Sequence, residues 1–483
     1  MVNATRTSVV LKPNIARVLF RPFQFGDPAR YLKIIARILS LPERDVAKQT
    51  EVVLAEFKDR HQRLGQYFLR RYEQVKEHLP VAEAEITAAR RVLIGAYFTL
   101  EYSLESAALF NPSIVPHPDQ SLAPAGGLRF IVSLRAVGEG HISSITFGTG
   151  TIDSHNEITI DEDSPFVTAP EFVPHSVYEK PLFEKKLAEM DRLGDIAKSV
   201  MDALDNTFTM DQLKATVELV KRQQRSRTQD VTRATHDIIA LAQANYEMEY
   251  DTDTDITERV IFPYAPQESN GIEDARFVRF VYPDGNVCYY ATYTAYDGKA
   301  IFPQILETSD FRRFRIATLN GPEVMNKGMA LFPRKVNGTY AMISRQDGEN
   351  IYIMFSEQLH FWYAKQILLK PTYPWEFVQL GNCGSPIETD AGWLLFTHGV
   401  GPMRKYSIGA ALLDKDDPTK VIGRTREPIL TPNANEREGY VPNVVYSCGA
   451  LVHNGTVVLP YAMSDYASSF ALIPLSELLA SMT

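Results

Sequence analysis

The sequence predicts a mainly β protein, a five-bladed β-propeller to which an N-terminal helical region and a helical insertion are added. Apolar, strand-like runs recur after turn residues. Four of them begin at Gly285, Gly338, Gly392 and Gly455, at spacings of 53, 54 and 63 residues, which is about the size of one propeller blade. Two other segments repeat apolar residues every three or four positions among charges, which indicates helices. Spacing alone also fits a β-sandwich with solvated strand ends.

Residues 1–109 are predicted to form the N-terminal helical region. From about Pro28 onward, apolar residues recur at helical spacing between charged ones. A helix start is predicted at Pro42, because a proline followed by acidic residues is typical of a first helical turn.

The other boundaries follow from changes in local composition. Near Phe110 prolines and glycines appear and short β-like runs begin, so residues 110–176 are predicted as the first blade. Residues 177–248 return to helical periodicity and are predicted as the insertion, in which Thr209 is a candidate N-cap. Residues 249–483 are predicted to supply the remaining blades.

Bulk composition limits the function classes. The chain has 483 residues, 45% of them hydrophobic, which is enough for a large core divided over two or three regions. A net charge of -9 gives no basic face for nucleic acid or an anionic membrane. The chain start lacks the apolar stretch of a signal peptide, and no run of about 18 apolar residues follows. We therefore expect a cytoplasmic protein without nucleic-acid or membrane partners.

The three cysteines, Cys288, Cys383 and Cys448, are odd in number and widely spaced. They lack the close pairing and neighbouring histidines that disulfide frameworks and zinc sites show. We expect buried thiols in a reducing compartment and no metal site.

Five of the strand-like runs end in polar side chains. The last residues of these runs are Arg135, Asp297, Arg345, His398 and Asp465. Inner strands of a propeller line its central channel, so these side chains are expected to converge on one pocket.

The segment ESNGIEDARFVRF holds the strongest local candidate for chemistry. Glu273 and Asp274 follow an Asn-Gly turn and precede Arg276. A carboxyl group among carboxylates in a desolvated pocket can act as a general acid, whereas a neighbouring arginine favours the ionised form. On its own, such a cluster is more often a surface ion pair.

This segment also carries a family resemblance. NGIEDARFV followed by YYATYTAYDG resembles the G-x-E-D-P-R motif and the following strand of glycoside hydrolase family 130, the β-mannoside phosphorylases and β-mannosidases. Further similar segments follow in the family's order: FNPS, SLRAVGEGHISSI, NKGMALFPRKVNGTY, GWLLFTHGV, YSIGAALLDKDDPTKVIGRTREPIL, GYVPNVVYSCGA and YAMSDYASSFA. The resemblance covers the β-region and implies a five-bladed propeller. Ala275 departs from the motif's proline, which loosens the backbone without removing the acid.

The resemblance implies an inverting β-mannoside phosphorylase. Asp274 occupies the proton donor's position, and inorganic phosphate, as co-substrate, attacks the sugar to give mannose 1-phosphate. The donor acts indirectly, through the mannose 3-hydroxyl, and no metal or other cofactor is implied. The expected phosphate contacts are Arg135, Ser143, Arg276, Lys327, Arg345 and His398. The expected contacts to the β-mannosyl oligosaccharide are Asn270, Glu273, Glu436 and Asp465.

Three alternatives stay open from the sequence. A β-mannosidase would need a second carboxylate as base, with Asp390 or Glu436 as candidates. A mannosyltransferase acting on a nucleotide sugar could use three further arginines, at Arg312, Arg313 and Arg315. A non-catalytic carbohydrate-binding propeller would need no acid at position 274. The amphipathic helices are expected to pack on a neighbouring surface, to shape the entrance or to form a homo-oligomer interface.

Overall fold

The structure is a computed structural model that describes Val2 and residues 4–173, 177–223 and 229–482. Two predicted segments extend beyond these residues. Positions 174–176 at the end of the predicted first blade and 224–228 within the predicted insertion lie outside the described residues.

Strands dominate the described chain. In chain order they are β1 (Thr5–Leu11), β2 (Val18–Pro22), β3 (Thr99–Ser103), β4 (Ala108–Pro116), β5 (Leu128–Val137), β6 (Ser143–Ile152), β7 (Ile158–Ile160), β8 (Glu171–Phe172), β9 (Val177–Glu179), β10 (Thr207–Thr209), β11 (Tyr246–Glu249), β12 (Val260–Ile261), β13 (Ile272–Val281), β14 (Val287–Tyr296), β15 (Ile301–Thr308), β16 (Arg313–Thr318), β17 (Ala330–Leu331), β18 (Tyr340–Ser344), β19 (Ile351–Ser356), β20 (Lys365–Leu369), β21 (Gln379–Asn382), β22 (Ile387–Thr389), β23 (Gly392–Val400), β24 (Tyr406–Leu413), β25 (Val421–Arg424), β26 (Val445–Tyr446), β27 (Leu451–His453), β28 (Thr456–Met463) and β29 (Ala467–Pro474).

Helices occupy the N-terminal region, the insertion and the last residues before the chain end. They are α1 (Pro28–Leu39), α2 (Glu43–Phe57), α3 (Leu64–Val75), α4 (Ala88–Tyr97), α5 (Lys180–Glu189), α6 (Asp195–Asp202), α7 (Met210–Gln223), α8 (Gln229–Gln243) and α9 (Leu475–Ala480). Within the described ranges, no helix is long and apolar enough to cross a bilayer.

The strands form five larger sheets, here numbered I to V, and two strand pairs, β2–β3 and β9–β10. Sheet I is ordered β12-β6-β5-β4 with β7 beside β6, and sheet II is β13-β14-β15-β16-β11-β8. Sheet III is β17-β18-β19-β20, sheet IV is β21-β23-β24-β25 with β22 beside β23, and sheet V is β26-β28-β29-β1 with β27 beside β28.

The five strand-like runs of the sequence are confirmed as strands of five different sheets. They are β5, β14, β18, β23 and β28, and each lies second from one edge of its own sheet. Because the runs are spread over five sheets, the two-sheet sandwich is not the observed arrangement. The protein is mainly β with helical additions, as the sequence predicts.

The N-terminal region differs in part from the prediction. Helices α1 to α4 share one apolar core, and α1 begins at Pro28 with the Asp27 carboxylate accepting from the N–H of Ala29 at 2.9 Å. The region also holds strand β1, which pairs with β29 through Thr5 opposite Leu472. The sequence gives no local signal for this pairing, because the partner lies near the other end of the chain.

Within the insertion, the helix start predicted at Thr209 is confirmed. Helix α7 follows Thr209, whose hydroxyl accepts from the N–H of Gln212 at 3.3 Å. The amide oxygen of Gln212 accepts from the N–H of Thr209 at 2.8 Å, which completes a capping box. The helices share their own apolar core, and the chain then enters β11, next to β16 in sheet II.

A buried glutamate precedes the edge strand of three sheets, a repeat that the sequence analysis missed. Glu268, Glu376 and Glu436 each end a 3₁₀ turn and accept from backbone N–H groups at the start of that turn. Each also accepts from side chains: Tyr246 and Tyr293 for Glu268, Arg424 for Glu376, and Arg6 and Tyr461 for Glu436. These carboxylates fix the entry of β13, β21 and β26.

All three cysteines are free and buried, as expected.

Candidate active site

Edge strands of the five sheets meet around the start of β13. Asn111 of β4 contacts Asp274, and Lys327, just before β17, lines the same pocket. On the other side, Arg276 donates to the backbone oxygen of Asn382 in β21 and to the hydroxyl of Tyr446 in β26. The residues around Asp274 and Arg276 therefore belong to or directly adjoin all five larger sheets.

The backbone at Asp274 is irregular. Its φ is +55°, in the left-handed region, and the pairing of β13 with β14 shifts register between Glu273 and Arg276. Asn111 has a φ of +51°, and β4 shifts register against β5 between Phe110 and Ser113. A non-glycine residue in this conformation costs on the order of 1–3 kcal/mol and is typical of functional sites. The two bulges turn the two side chains toward each other.

The Asp274 carboxylate is buried, with 7% of the residue exposed. Its Oδ1 accepts from Asn111 Nδ2 at 2.6 Å and lies 3.6 Å from Arg135 Nη1. Burial raises the pKa of Asp274, but the charges of Arg135, Lys327 and Arg276, with the Asn111 hydrogen bond, outweigh burial and lower it. Without a ligand the carboxylate is ionised at neutral pH.

Glu273 joins two of the cations. Its Oε1 accepts from Arg135 Nη2 at 2.6 Å, and its Oε2 lies 3.8 Å from Lys327 Nζ. The Arg135 guanidinium also lies over the Phe110 ring, 5.0 Å from its centroid. Arg135 is thus held between an acid and an aromatic face beside Asp274.

Arg345 and His398 form the next part of the site. Arg345 Nη1 donates to His398 Nε2 at 3.4 Å, and the histidine is fully buried. Burial, followed by the charges of Arg345 and Arg276, lowers the pKa of His398 well below its usual value, so the ring is neutral. Close packing requires Gly381, because a Cβ there would lie 2.4 Å from His398 Cε1.

The pKa of a second carboxyl group, that of Asp465, is affected by the charge of Asp274. Burial and then the negative charge of Asp274 raise the pKa of Asp465 to about 6, against the charges of Arg135, Arg404 and Lys327. Asp465 is also in the left-handed region, with a φ of +52°. The two carboxyl groups therefore have pKa values that are pushed apart, a pattern typical of acid–base sites.

Comparison with known proteins identifies the family of this chain. A family model described as β-1,4-mannooligosaccharide phosphorylase, that of glycoside hydrolase family 130, matches residues 227–483. The chain belongs to glycoside hydrolase family 130. It is an enzyme of the glycoside phosphorylase type.

Curated relatives of this family 130 chain carry phosphorylase names. A 1,2-β-oligomannan phosphorylase from Thermoanaerobacter sp. is 38% identical over 220 residues, which is 44% of this chain and 71% of the relative. A β-1,4-mannooligosaccharide phosphorylase from Ruminococcus albus is 34% identical over 35% of this chain and 54% of the relative. The solved structure of a Listeria innocua β-1,2-mannobiose phosphorylase with β-1,2-mannobiose covers 79% of this chain and 93% of that chain, at 23% identity and a TM-score of 0.47.

Several predicted site residues of the family 130 chain are brought together. Arg135, Glu273, Asp274, Arg276, Lys327, Arg345, His398 and Asp465 lie in one continuous group of contacts and charges. Arg276 is largely engaged by Asn382 and Tyr446, so it also ties sheet II to sheets IV and V.

Two predicted residues lie beside this group without a described contact to Asp274. Ser143 is buried against Gly271, where a Cβ would come within 2.4 Å of its Oγ. Asn270 is exposed, and its amide packs on Gly298. The phosphate contact of Ser143 and the sugar contact of Asn270 stay predictions.

The structure gives Glu436 and Asp390 other surroundings. The Glu436 carboxylate accepts from Arg6 Nε at 2.7 Å, from Tyr461 at 2.7 Å and from the N–H of Asn433 at 3.0 Å. These are the contacts of a structural carboxylate. Asp390 is exposed in the turn before β23. His398 lies six residues of extended strand after Gly392, so Asp390 is about 20 Å from His398 along β23.

The outer side of sheet II is its part formed by β16, β11 and β8, away from β13. Two of the three additional arginines are paired there. Arg313 Nη2 donates to Glu247 at 2.6 Å, and Arg312 pairs with Glu249. Arg315 faces the insertion instead. Basic residues near the motif in sequence are thus distant from it across the sheet, because β14 and β15 lie between.

Asn111 and Tyr446 are site residues to which the sequence analysis assigned no role. Both lie in segments that resemble the family, FNPS and GYVPNVVYSCGA. An asparagine at a bulge was the usable signal for Asn111, because asparagine tolerates the left-handed conformation better than most residues. For Tyr446 the sequence offers no comparable signal.

Proposed function

We propose that this enzyme is an inverting β-mannoside phosphorylase, which transfers mannose from a β-mannosyl oligosaccharide to inorganic phosphate and releases mannose 1-phosphate. One observation carries the proposal. The buried carboxylate of Asp274 lies among Arg135, Lys327 and Arg276, with Arg345 close by. These four cations outnumber the three carboxyl groups of the site, and the excess positive charge suits the binding of a phosphate dianion beside a proton donor. The names of the curated relatives support the mannoside as substrate.

We propose further that the five larger sheets are the blades of a propeller. Support comes from the meeting of the edge strands β4, β13, β17, β21 and β26 around Asp274. In this arrangement β1 closes the ring, because it adds an N-terminal strand to the C-terminal sheet V.

In the proposed reaction, phosphate binds among the cations and Asp274 becomes the acid. The phosphate charge offsets the cations that lower the pKa of Asp274, so the pKa rises when phosphate binds and the carboxyl group holds a proton. The bond between the anomeric carbon and the leaving oxygen breaks as phosphate oxygen bonds to that carbon from the opposite face. The leaving oxygen gains its proton from Asp274 through the mannose 3-hydroxyl, and hydrogen phosphate supplies the proton that restores Asp274.

Two further roles follow from the geometry. Arg345 is aligned by the neutral His398 ring and would hold phosphate with its remaining donors. Asp465, with a pKa raised to about 6, is largely ionised at neutral pH and would accept hydrogen bonds from sugar hydroxyls. Both groups lie within the charge network of Asp274.

The alternatives have less support. A mannosidase of the usual inverting type needs a second carboxylate about 6.5–9.5 Å from the acid to activate water. Of the two candidate bases, Glu436 is engaged by Arg6 and Tyr461, and Asp390 is exposed in the turn before β23. A transfer from a nucleotide sugar would need free arginines, but Arg312 and Arg313 are paired with glutamates. A carbohydrate-binding module has no need for a strained, buried carboxylate.

The test is product formation from a panel of β-linked mannobioses, with and without inorganic phosphate. The proposal expects mannose 1-phosphate only when phosphate is present, and the best substrate of the panel identifies the linkage. Free mannose at the same rate in both conditions would make the enzyme a mannosidase.

A further inference from the structure

A second cavity lies between the helical insertion and the outer side of sheet II. Its volume is about 50 Å³. Its lining is largely apolar, and the charged and amide side chains in it are those of Glu179, Lys186, Asn245, Glu247, Arg315 and His360. The strand β16 that forms its floor is three strands away from β13, or about 15 Å. The cavity is therefore separate from the Asp274 site.

Lys186 of α5 is the unusual residue of this cavity. Only 3% of it is exposed, and its Nζ donates to Asn245 Oδ1 at 2.6 Å. Across the described ranges of the chain, no carboxylate lies within ion-pair distance of this ammonium group. Lysine is almost never fully buried unless it is paired, so the structure leaves a buried cation without a counter-ion.

Two other basic side chains face the same space. Arg315 of β16 and His360 line the cavity with Lys186. Arg315 has Glu247 opposite it in β11 and Glu307 opposite it in β15, and Glu247 also accepts from Arg313 at 2.6 Å. Burial, followed by the charges of Lys186 and Arg315, lowers the pKa of His360 to about 3. His360 is therefore neutral, and among the described residues Lys186 lies close to a second cation, Arg315, without a carboxylate partner of its own.

We propose that this cavity binds a small tetrahedral oxyanion of the phosphate class, held by Lys186, Arg315 and His360. The ammonium group has donors beyond the one that Asn245 uses, and a guanidinium binds oxyanions through paired N–H groups. A cavity of about 50 Å³ has room for roughly four waters at 10–15 Å³ each, which suits one small oxyanion.

The bound anion would join the insertion to the sheet. Lys186 belongs to α5 and Arg315 to β16, so an anion between them links the two elements. Burial, and then the charge of Arg315, lowers the pKa of Lys186 to about 7. An anion would supply the missing counter-charge and hold the ammonium form.

Hydrogen exchange tests the site by its position, independently of the active site. Wild-type protein is compared in inorganic phosphate, sulfate, acetate and chloride at equal ionic strength, and peptides covering Lys180–Glu189 are followed. We expect phosphate and sulfate to slow exchange in α5 roughly threefold or more relative to chloride. Equal exchange in all four salts would overturn the site, and slowing by acetate alone would overturn the tetrahedral class.

Two neighbouring lysines provide matched variants. Lys186→Met should lose the phosphate effect in α5, whereas Lys185→Met, which removes contacts with Gln358 and with the rings of Phe361 and Tyr363 outside the cavity, should keep it. In phosphate-free buffer Lys186→Met should melt no lower than wild type, because a buried charge without a partner is removed. Retention of the full phosphate effect in Lys186→Met would refute the assignment of Lys186 to the site. Retention of the full effect in Arg315→Gln would refute the assignment of Arg315.

Discussion

The two sides of sheet II carry similar charged residues, but the partners of these residues differ. On the outer side, arginines of β16 and the turn before it pair with glutamates of β11: Arg313 with Glu247 and Arg312 with Glu249. On the inner side, Arg276 of β13 donates to a backbone oxygen and a tyrosine hydroxyl, and Asp274 is buried among cations from other sheets.

The difference lies in which strands are neighbours. On the outer side, the antiparallel pairing of β11 with β16 brings glutamates and arginines together, and Arg313 and Arg312 form ion pairs with Glu247 and Glu249. On the inner side, the side chains come from strands that belong to different sheets, and no ladder pairs them. Glu273 pairs with Arg135 there, whereas Arg276 and Arg345 form no ion pair within the described residues, and their charge is available to a ligand. The inner side is therefore where phosphate and sugar are expected to bind.

The largest expected effect is at Asp274. Asp274→Asn should lower phosphate-dependent mannoside cleavage by about 10³-fold, because loss of a general acid typically costs 10²- to 10⁴-fold. Initial rates with a β-linked mannobiose measure it. Asp310→Asn is the control on the outer side, where the carboxylate accepts backbone N–H groups, and it should retain wild-type rates. Comparable losses in both variants would remove the distinction between the two sides.

Arginine replacement on each side gives the next effect. Arg345→Gln should raise the KM for phosphate by roughly 10- to 100-fold, as expected for a lost hydrogen bond to a charged group worth about 1.5–3 kcal/mol. Arg313→Gln on the outer side should leave this KM unchanged, because its partner is Glu247. Phosphate titrations at saturating mannoside give both values. An unchanged KM in Arg345→Gln contradicts its proposed contact.

The carboxyl group of Asp465 predicts a pH dependence. Its pKa is raised to about 6, so it is protonated below that pH and charged above it. If the charged form accepts hydrogen bonds from sugar hydroxyls, kcat/KM for mannoside at saturating phosphate should fall as pH drops below about 6. Asp465→Asn should lose this limb and be roughly tenfold slower at neutral pH. An identical acidic limb in the variant would assign it to another group.

The smallest effect on turnover is expected at Glu436. Burial raises the pKa of Glu436, but hydrogen bonds from Arg6, the Asn433 backbone and Tyr461 outweigh it and lower the pKa below the usual 4.5. The Glu436 carboxylate therefore stabilises the fold fully above pH 4.5, and this stabilisation is lost as the pH falls through the lowered pKa. Glu436→Gln should lower unfolding free energy at neutral pH by about 1–3 kcal/mol without changing KM. Denaturant titrations measure the loss, which should shrink in acid. A raised KM for mannoside with unchanged stability would restore Glu436 as a sugar contact.

Much of the architecture could be predicted from the sequence because its signals are local. A turn glycine before an apolar run predicts β14, and the same pattern predicts β18 and β23. The pairing of β1 with β29 could not be predicted in this way, since it joins residues from opposite ends of the chain.

The site was predictable where a motif is continuous, as at Glu273 and Asp274, and harder where roles depend on distant partners. A glutamate that binds sugar and one that caps a 3₁₀ turn look alike in a sequence. Only the repetition at Glu268, Glu376 and Glu436 shows the capping role. Likewise Arg313 becomes an ion-pair residue only because β16 pairs with β11, which places Glu247 diagonally across the ladder from it.

The most direct test of the proposed function is to follow one reaction with inorganic phosphate by ³¹P and ¹H NMR from its first minutes. Inverting phosphorolysis predicts that α-mannose 1-phosphate is the first product from a β-mannoside and that nothing is released when phosphate is omitted. A first-formed β-anomer would contradict inversion, and free mannose without phosphate would contradict phosphorolysis.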